Sequence, residues 1–329
     1  MTGFKSMTMV AALNEALDIA LSADPDVFLI GEDLIDPVGG SFGVTKGLST
    51  KYGRERVRET PISEQAIIGA AIGSAITGGK PVAEIMIADF YAVCMDQIAN
   101  HAAKLRYMSG GRTTVPMVVR GLFSGGLNFA AQHSQSLEAW MAHVPGLKVA
   151  MPSNPANAKA LLLAAIDDPD PVVFMEPAAL YNVTGEVPVG EDRIRPGTAR
   201  IVRSGTDVTV IAYGPMVPVA VAVADRISTE ISVEIIDLQW IVPWDTDTVM
   251  ASVTKTRRAV IAHQAVQRAG FGAEIAATIQ EQLFETLAAP ILRVAGKNTP
   301  VPFATALEQE HMPGPNDLEE AIRKVVKLT

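Results

Sequence analysis

Short runs rich in Val and Ile alternate along this chain with longer segments rich in Ala and Leu. Val27 to Ile30, Pro81 to Ile87, Pro116 to Val119, Leu147 to Met151 and Pro171 to Met175 read as buried strands. Asn14 to Leu21, Ala66 to Ile76, Tyr91 to Tyr107 and Asn157 to Ile166 read as the helices between them. A strand that is apolar at nearly every position is covered on both faces, which is the condition of a parallel sheet with helical crossovers. Around Gly185 to Pro196 the pattern lapses into Gly, Pro and charge, and then it resumes. Val208 to Ala212, Val233 to Leu238, Ala259 to Ala262 and Ile291 to Val294 form a second set of strands. Val217 to Ile227, Thr246 to Thr254, Phe271 to Leu283 and Leu318 to Val326 are its helices. The expected fold is therefore α/β with two parallel-sheet domains, residues 1–190 and 200–329. A chain of 329 residues has room for two domains of ordinary size.

Composition narrows the function. Hydrophobic residues make up 48% of the chain, enough for a large core. No apolar run reaches membrane-spanning length without a charge, Gly or Pro, so no membrane role is expected. The N-terminal residues pass directly into an amphipathic segment, with neither the apolar core of a signal peptide nor an Arg-rich presequence. One cysteine, Cys94, excludes an internal disulfide and suits a reducing compartment, so a cytoplasmic protein is expected. With no His or basic neighbour to favour its thiolate, Cys94 reads as a packed core thiol. A net charge of −9 argues against nucleic acid as a partner. No His-Glu-x-x-His or zinc-ligand spacing is present, and Gly78-Gly79-Lys80-Pro81 lacks the spacing of a phosphate loop.

A few polar residues stand out. Glu64 heads a segment that runs almost wholly apolar to Ile76, behind the helix-opening residues Pro61 and Ser63. A carboxylate there faces the positive end of the helix dipole, which is its ordinary reading. The helix it opens has no polar face and is expected to be buried on all sides, with Gly69 and Gly73 admitting another backbone. A carboxylate beside such a helix is costly unless something uses it. His133 follows the glycine-rich Gly121 to Gly126 and precedes a helix with Glu138 in its first turn. It reads either as a polar loop residue or as a proton donor at a strand's carboxyl end. Asp89 and Phe90, after the strand ending at Ile87, and His263, after the strand ending at Ala262, occupy similar positions. His101, His143 and His311 read as structural. Asp167-Asp168-Pro-Asp170-Pro reads as a solvated turn.

Several segments, taken in order, carry a resemblance to a known family. They are Gly31-Glu-Asp33, Glu59-Thr-Pro-Ile-Ser-Glu-Gln65, Ala88-Asp-Phe-Tyr91, Asp96-Gln-Ile98, Arg106-Tyr-Met-Ser-Gly-Gly111, Ala131-Gln-His-Ser-Gln135 and Pro145-Gly-Leu-Lys-Val149. Val208 to Gly214, Ile236-Asp-Leu238 and Val242-Pro-Trp-Asp245 continue the series. From Met9 to Val326 the chain resembles the beta subunit of the thiamine-diphosphate-dependent decarboxylase component of 2-oxo acid dehydrogenase complexes. The resemblance implies a transketolase-like pyrimidine-binding domain followed by a transketolase C-terminal-like domain.

It also implies roles for the residues already noted. Glu64 matches the glutamate that hydrogen-bonds N1′ of the cofactor's aminopyrimidine and shares a proton with it. Phe90 matches the aromatic that stacks on that ring, and Ile62 and Met86 match residues lining its pocket. His133 matches a histidine near the reactive carbon. Asp168 and Asp170, with the backbones of Met117, Ala165 and Ile166, match a monovalent-cation site, implying K⁺. Asp170 departs from the Asn usual in the family. The Gly-Asp-Gly sequence by which such enzymes hold Mg²⁺ and the diphosphate occurs nowhere in this chain. The family supplies it from an alpha subunit, in an α2β2 heterotetramer whose sites lie between subunits, and passes the acyl group to a lipoyl-bearing acyltransferase. The donor is a 2-oxo acid or acetoin. Ketol-unit transfer in a specialised pathway is the alternative, opened by His263-Gln264-Ala265 in place of His-Glu-Ala. A non-catalytic assembly paralogue is the reading from another class, opposed by the presence of Glu64, Phe90 and His133.

Overall fold

In the computed structural model, which describes residues 3–327, the chain divides into two compact units. Of the described residues, those up to 123 and 140–196 form the first, and residues 124–139 and 197 onward the second.

The first unit carries strands β1 (Phe4–Thr8), β2 (Val27–Gly31), β3 (Val57–Glu59), β4 (Lys80–Ile87), β5 (Val118–Phe123), β6 (Lys148–Ala150), β7 (Val172–Pro177) and β8 (Thr184–Pro188). Six of them lie side by side in the order β6-β7-β5-β4-β2-β3, every neighbouring pair parallel. The fully apolar runs predicted this arrangement. The antiparallel pair β1–β8 lies apart from that sheet. Helix α1 (Met9–Ala23) is opened by the Thr8 hydroxyl, which accepts the Ala11 N–H. It buries Leu13, Ala16, Leu17, Ala20 and Leu21, one face at helical spacing. The short α2 (Leu48–Tyr52) and the helix α3 (Glu64–Ala75) follow. Helix α6 (Pro155–Asp167) begins with Pro155 inside an Asn154–Asn157 capping box and is buried at every position from Asn157 to Ile166.

Two expectations fail in this unit. Helix α3 is not buried on all sides: Ile67, Ile68, Ala71, Ile72 and Ala75 are buried, whereas Gln65, Ala66, Gly69, Ala70 and Gly73 are exposed. Its small apolar residues form a second face that this chain alone does not cover. The predicted single helix from Tyr91 to Tyr107 is three pieces. They are a 3₁₀ turn at Ala88–Ala92, a π-helical stretch at Gln97–Ala102 and helix α4 (Ala103–Met108). Helix α5 (Glu138–Ala142) is also short.

The second unit holds β9 (Arg200–Arg203), β10 (Val208–Ala212), β11 (Val233–Asp237), the short β12 (Trp240–Val242), β13 (Ala259–Val266) and β14 (Leu292–Gly296). Five form a sheet in the order β14-β13-β10-β11-β9, parallel except for the antiparallel edge strand β9. Helices α7 (Met216–Arg226) and α11 (Pro315–Lys327) pack on the face presented by Val208, Val210 and Ala212. The opposite face meets α8 (Thr246–Thr256) and α9 (Gly272–Leu283). There the Thr209 hydroxyl lies 2.7 Å from those of Ser252 and Thr256. The period of two along β10 thus sends apolar residues to one layer and a threonine to the other. Helix α10 (Thr305–His311) precedes α11. Among the described residues no helix is long and apolar enough to cross a membrane.

Candidate active site

Three adjacent parallel strands, β4, β2 and β3, open their carboxyl ends on one edge of the first sheet. Open α/β sheets gather ligand-binding groups at such an edge. Glu32 follows β2. Ile62 and Glu64 follow β3. Met86 lies near the end of β4, and Phe90 lies in the 3₁₀ turn just beyond it. The topology therefore brings Ile62, Glu64, Met86 and Phe90 to a single edge. Ile62 is 81% exposed, unusual for an isoleucine, while Glu64, Met86 and Phe90 are half-buried. Glu64 is the first residue of α3, and the Ser63 hydroxyl turns back to the Pro61 carbonyl at 2.9 Å instead of capping the helix.

Glu32 was quoted in the sequence only as part of a family segment, yet it belongs to this edge. It is nearly buried, and its carboxyl is pushed above the ordinary value by burial and then by the charge of Glu64, against a hydrogen bond from the Ser63 N–H. Cys94 feels the same charge. Burial and then Glu64 push its thiol up to about 12, so it is the inert core thiol expected. For Glu32 the signal available in the sequence was an acidic residue placed directly after an apolar strand.

The neighbouring strands β4, β5 and β7 of the same sheet carry a charge cluster that hydrophobic patterning hid. Arg120 on β5 donates to both oxygens of Glu176 on β7, at 2.7 and 2.8 Å, and to Glu84 on β4. The Tyr181 hydroxyl donates to Glu176 at 2.5 Å, and the Ser41 N–H donates to Glu84 at 3.1 Å. All three charged residues are buried. Burial works against the Arg120 charge, but Glu176 and Glu84 outweigh it and hold the guanidinium above its usual value.

Asp168 and Asp170 do not form the solvated turn expected of them. Asp168 is 8% exposed, and its carboxylate accepts from the Lys148 ammonium at 2.6 Å and from the Asp170 N–H at 2.9 Å. Asp170 accepts from Lys148 at 3.2 Å and from Arg106 at 2.7 Å. The carbonyls of Met117 and Ala165 accept the Val172 and Asp168 N–H groups, and Ile166 is buried beside them. Lys148 and Arg106 already supply the positive charge that a monovalent cation would bring to these carboxylates.

In the second unit His133 lies half-buried on the segment between Ser124 and Ala139. His263 is fully buried, its ring stacked on Tyr213 with centroids 5.8 Å apart. Burial pushes its pKa below the ordinary value, against the pull of the Glu138 charge. His311 is buried with its Nδ1 3.1 Å from the Thr299 hydroxyl, and His101 and His143 are exposed.

Comparison with known proteins fits this geometry. Residues 5–184 match the transketolase pyrimidine binding domain, and residues 197–318 match the transketolase C-terminal domain. The chain is 44% identical to the acetoin:2,6-dichlorophenolindophenol oxidoreductase subunit beta of Cupriavidus necator, over 98% of each chain. It is 45% identical to the 2-oxoisovalerate dehydrogenase subunit beta of Pseudomonas aeruginosa, covering 98% of this chain and 96% of that one. The mitochondrial pyruvate dehydrogenase E1 component subunit beta-2 of Oryza sativa is also 45% identical, covering 97% and 86%. Among solved structures, a split-gene transketolase described as an inactive beta4 tetramer matches 98% of this chain with a TM-score of 0.81. At 23% identity that likeness concerns the fold. The chain belongs to the family of transketolase-like beta subunits of thiamine-diphosphate-dependent 2-oxo acid and acetoin dehydrogenases.

Proposed function

We propose that this chain, joined to an alpha subunit, forms an enzyme that cleaves a C–C bond of a 2-oxo acid or acetoin and passes the acyl unit to a lipoyl group. The observation that carries the proposal is the convergence of Glu64, Met86, Phe90 and the exposed Ile62 at one sheet edge, with Glu32 coupled to Glu64. These residues fit the aminopyrimidine half of thiamine diphosphate. Ile62, Met86 and Phe90 offer apolar and aromatic surface to a flat ring, and Glu64 offers a carboxyl to its N1′ nitrogen.

Bound thiamine diphosphate supplies a carbon that stabilises the carbanion left by C–C cleavage. The chain's own residues do the rest. Glu64 holds and moves the proton at N1′. Its coupling to Glu32 keeps a second proton-holding group beside it, and Ile62, Met86 and Phe90 orient the ring and exclude water from it. His133 serves the acyl-bearing stage, as a proton carrier suited to neutral pH. Mg²⁺ and the diphosphate are held by the alpha subunit's Gly-Asp-Gly, in an α2β2 assembly that also receives a lipoyl-bearing acyltransferase. Met117, Ala165, Ile166, Asp168 and Asp170 remain the candidate for a K⁺ site through their carbonyl oxygens. Because Lys148 and Arg106 neutralise the two carboxylates, no step is assigned to the cation. We place the enzyme in the cytoplasm, while the relative from rice is mitochondrial.

The test is reconstitution with the alpha chain, followed by a donor panel of acetoin, pyruvate, 2-oxoisovalerate and a ketose phosphate. Acylation of a lipoyl domain from one of the first three is expected. Turnover of the ketose alone, yielding an aldose rather than an acyl-lipoyl product, would replace this reading with ketol transfer.

A further inference from the structure

The segment that carries His133 is sixteen residues long, from Ser124 to Ala139, and it groups with the second unit. Residues 124–137 of it, between β5 and α5, have no helix or strand, and loops of that length are uncommon without a function. Near its start, the buried carboxylate of Glu308 on α10 accepts the N–H of Gly126 at 3.0 Å and that of Asn128 at 2.8 Å. No cation is within ion-pair distance of Glu308 among the described residues. Its bonds to the loop are therefore the ones that satisfy it, and a buried carboxylate does not persist without such bonds. The Asn128 side chain also donates to the Phe303 carbonyl at 3.2 Å, just ahead of α10. Gly125 passes so close to Met312 that a Cβ there would come within 2.7 Å of the methionine's methyl group.

The far end of the segment is held in the same way. Glu138 is fully buried and accepts from the Tyr213 hydroxyl at 2.9 Å and from the Ser136 hydroxyl at 2.7 Å. Tyr213 follows β10, and its ring is held in turn by the stacked ring of His263 on β13. Gly272 at the start of α9 also lies against His263, where an added Cβ would come within 2.6 Å of the imidazole. β10 is paired with β11 on one side and β13 on the other. The chain thus leaves β10 in both directions, the arrangement that in open α/β sheets makes a ligand crevice outside the strand ends. Tyr213 stands just past the end of β10 and His263 lies within β13, and here they hold a segment of the chain itself.

We infer that Glu308 and Tyr213 are positioning residues for the reaction proposed above, a pair of clamps that fix the loop on either side of His133 and so aim its imidazole. The inference rests on the acyl-stage role proposed for His133. Neither clamp residue touches the reacting atoms. Each acts through the loop, whose start and end it grips, and an error of about 1 Å in a catalytic group costs up to about 10²-fold.

The experiment uses the enzyme reconstituted with its alpha subunit and a free lipoyl domain as acceptor. Single variants Glu308→Ala, Glu308→Gln, Tyr213→Phe and His133→Ala are compared with the doubles that combine each clamp variant with His133→Ala. Two rates are read: proton exchange at C2 of the cofactor and acylation of the lipoyl domain. Glu308→Ala and Tyr213→Phe are expected to lower acylation about 10- to 100-fold with C2 exchange within about twofold of wild type. Adding either to His133→Ala is expected to lower acylation no further, because both act through the same imidazole. Glu308→Gln, which retains one acceptor oxygen, is expected to fall between wild type and Glu308→Ala. If the losses simply multiply in the doubles, or if C2 exchange falls as far as acylation, the clamps act on the fold at large and the inference fails. Wild-type acylation in both clamp variants, while His133→Ala is impaired, also overturns it. Wild-type acylation in His133→Ala itself overturns instead the role given to His133.

Discussion

Glu64 owes its suitability as a proton partner to its neighbours rather than to its position at a helix start. A carboxylate in the first turn of an exposed helix is worth a fraction of a kcal/mol and has no chemistry. Here the proton affinity of Glu32 is raised by burial and then by the charge of Glu64. Glu64→Gln keeps a hydrogen bond to N1′ but cannot share a proton. We expect C2 exchange and turnover to fall about 10²- to 10⁴-fold in the reconstituted enzyme, with an unchanged melting temperature. Turnover within a few-fold of wild type would return Glu64 to the role of a helix-start charge. Cys94 gives an independent check on the same environment. Its folded thiol titrates at about 12, above the ordinary 9.0, so the native state holds the proton more tightly than the unfolded chain does. That contribution to stability is complete below pH 9 and is lost as pH rises from there toward 12. Alkylation by iodoacetamide at pH 8.5 should therefore label Cys94 only after denaturant is added, and ready labelling of the native chain would mean that this region opens.

At the scale of elements, the sequence is most legible where one interaction dominates. β10 was predicted as Val208 to Ala212 and is found there, because a fully buried strand needs an unbroken apolar run. Helices α6, α7, α8, α9 and α11 were placed with ends within three residues, whereas the reading Asn14 to Leu21 missed the first five residues of α1. Elements that depend on backbone pairing with a distant partner left no such mark. The antiparallel pair β1–β8 and the edge strand β9 carry exposed, mixed residues that read as loop. The Arg120 cluster was hidden for the opposite reason. Single charges on β4, β5 and β7 look like flaws in apolar strands until the register sets them together. The residues proposed for the active site came from family resemblance, whereas Glu32 and the clamps on the His133 loop required the fold. The cluster also makes a prediction: Arg120→Met should destabilise the first unit by about 3–5 kcal/mol in urea unfolding, because it leaves Glu84 and Glu176 buried without their cation. A loss below about 1 kcal/mol would mean that the two carboxyls take up protons at little cost.

At the scale of the whole molecule, the chain offers half of what thiamine diphosphate requires. The carboxyl-terminal edge of its first sheet suits an aromatic ring. A diphosphate carries several negative charges, and this chain has net charge −9 and no Gly-Asp-Gly to hold a compensating Mg²⁺. The exposed face of α3, with Ala66, Gly69, Ala70 and Gly73, is the kind of surface that a partner chain covers. Among the described residues nothing outside α3 lies within 4 Å of a Cβ built on Gly69 or Gly73, so Gly69→Leu should fold normally and fail only in assembly. Calorimetry on the purified wild-type chain with Mg²⁺ should accordingly detect no sub-micromolar binding of thiamine diphosphate. Mixing with the alpha subunit should restore tight binding, and Gly69→Leu should weaken that recovery while leaving the melting temperature of the isolated chain unchanged. Sub-micromolar binding by the chain alone would mean that it holds the diphosphate with groups of its own, and the division of the cofactor between two subunits would have to be abandoned.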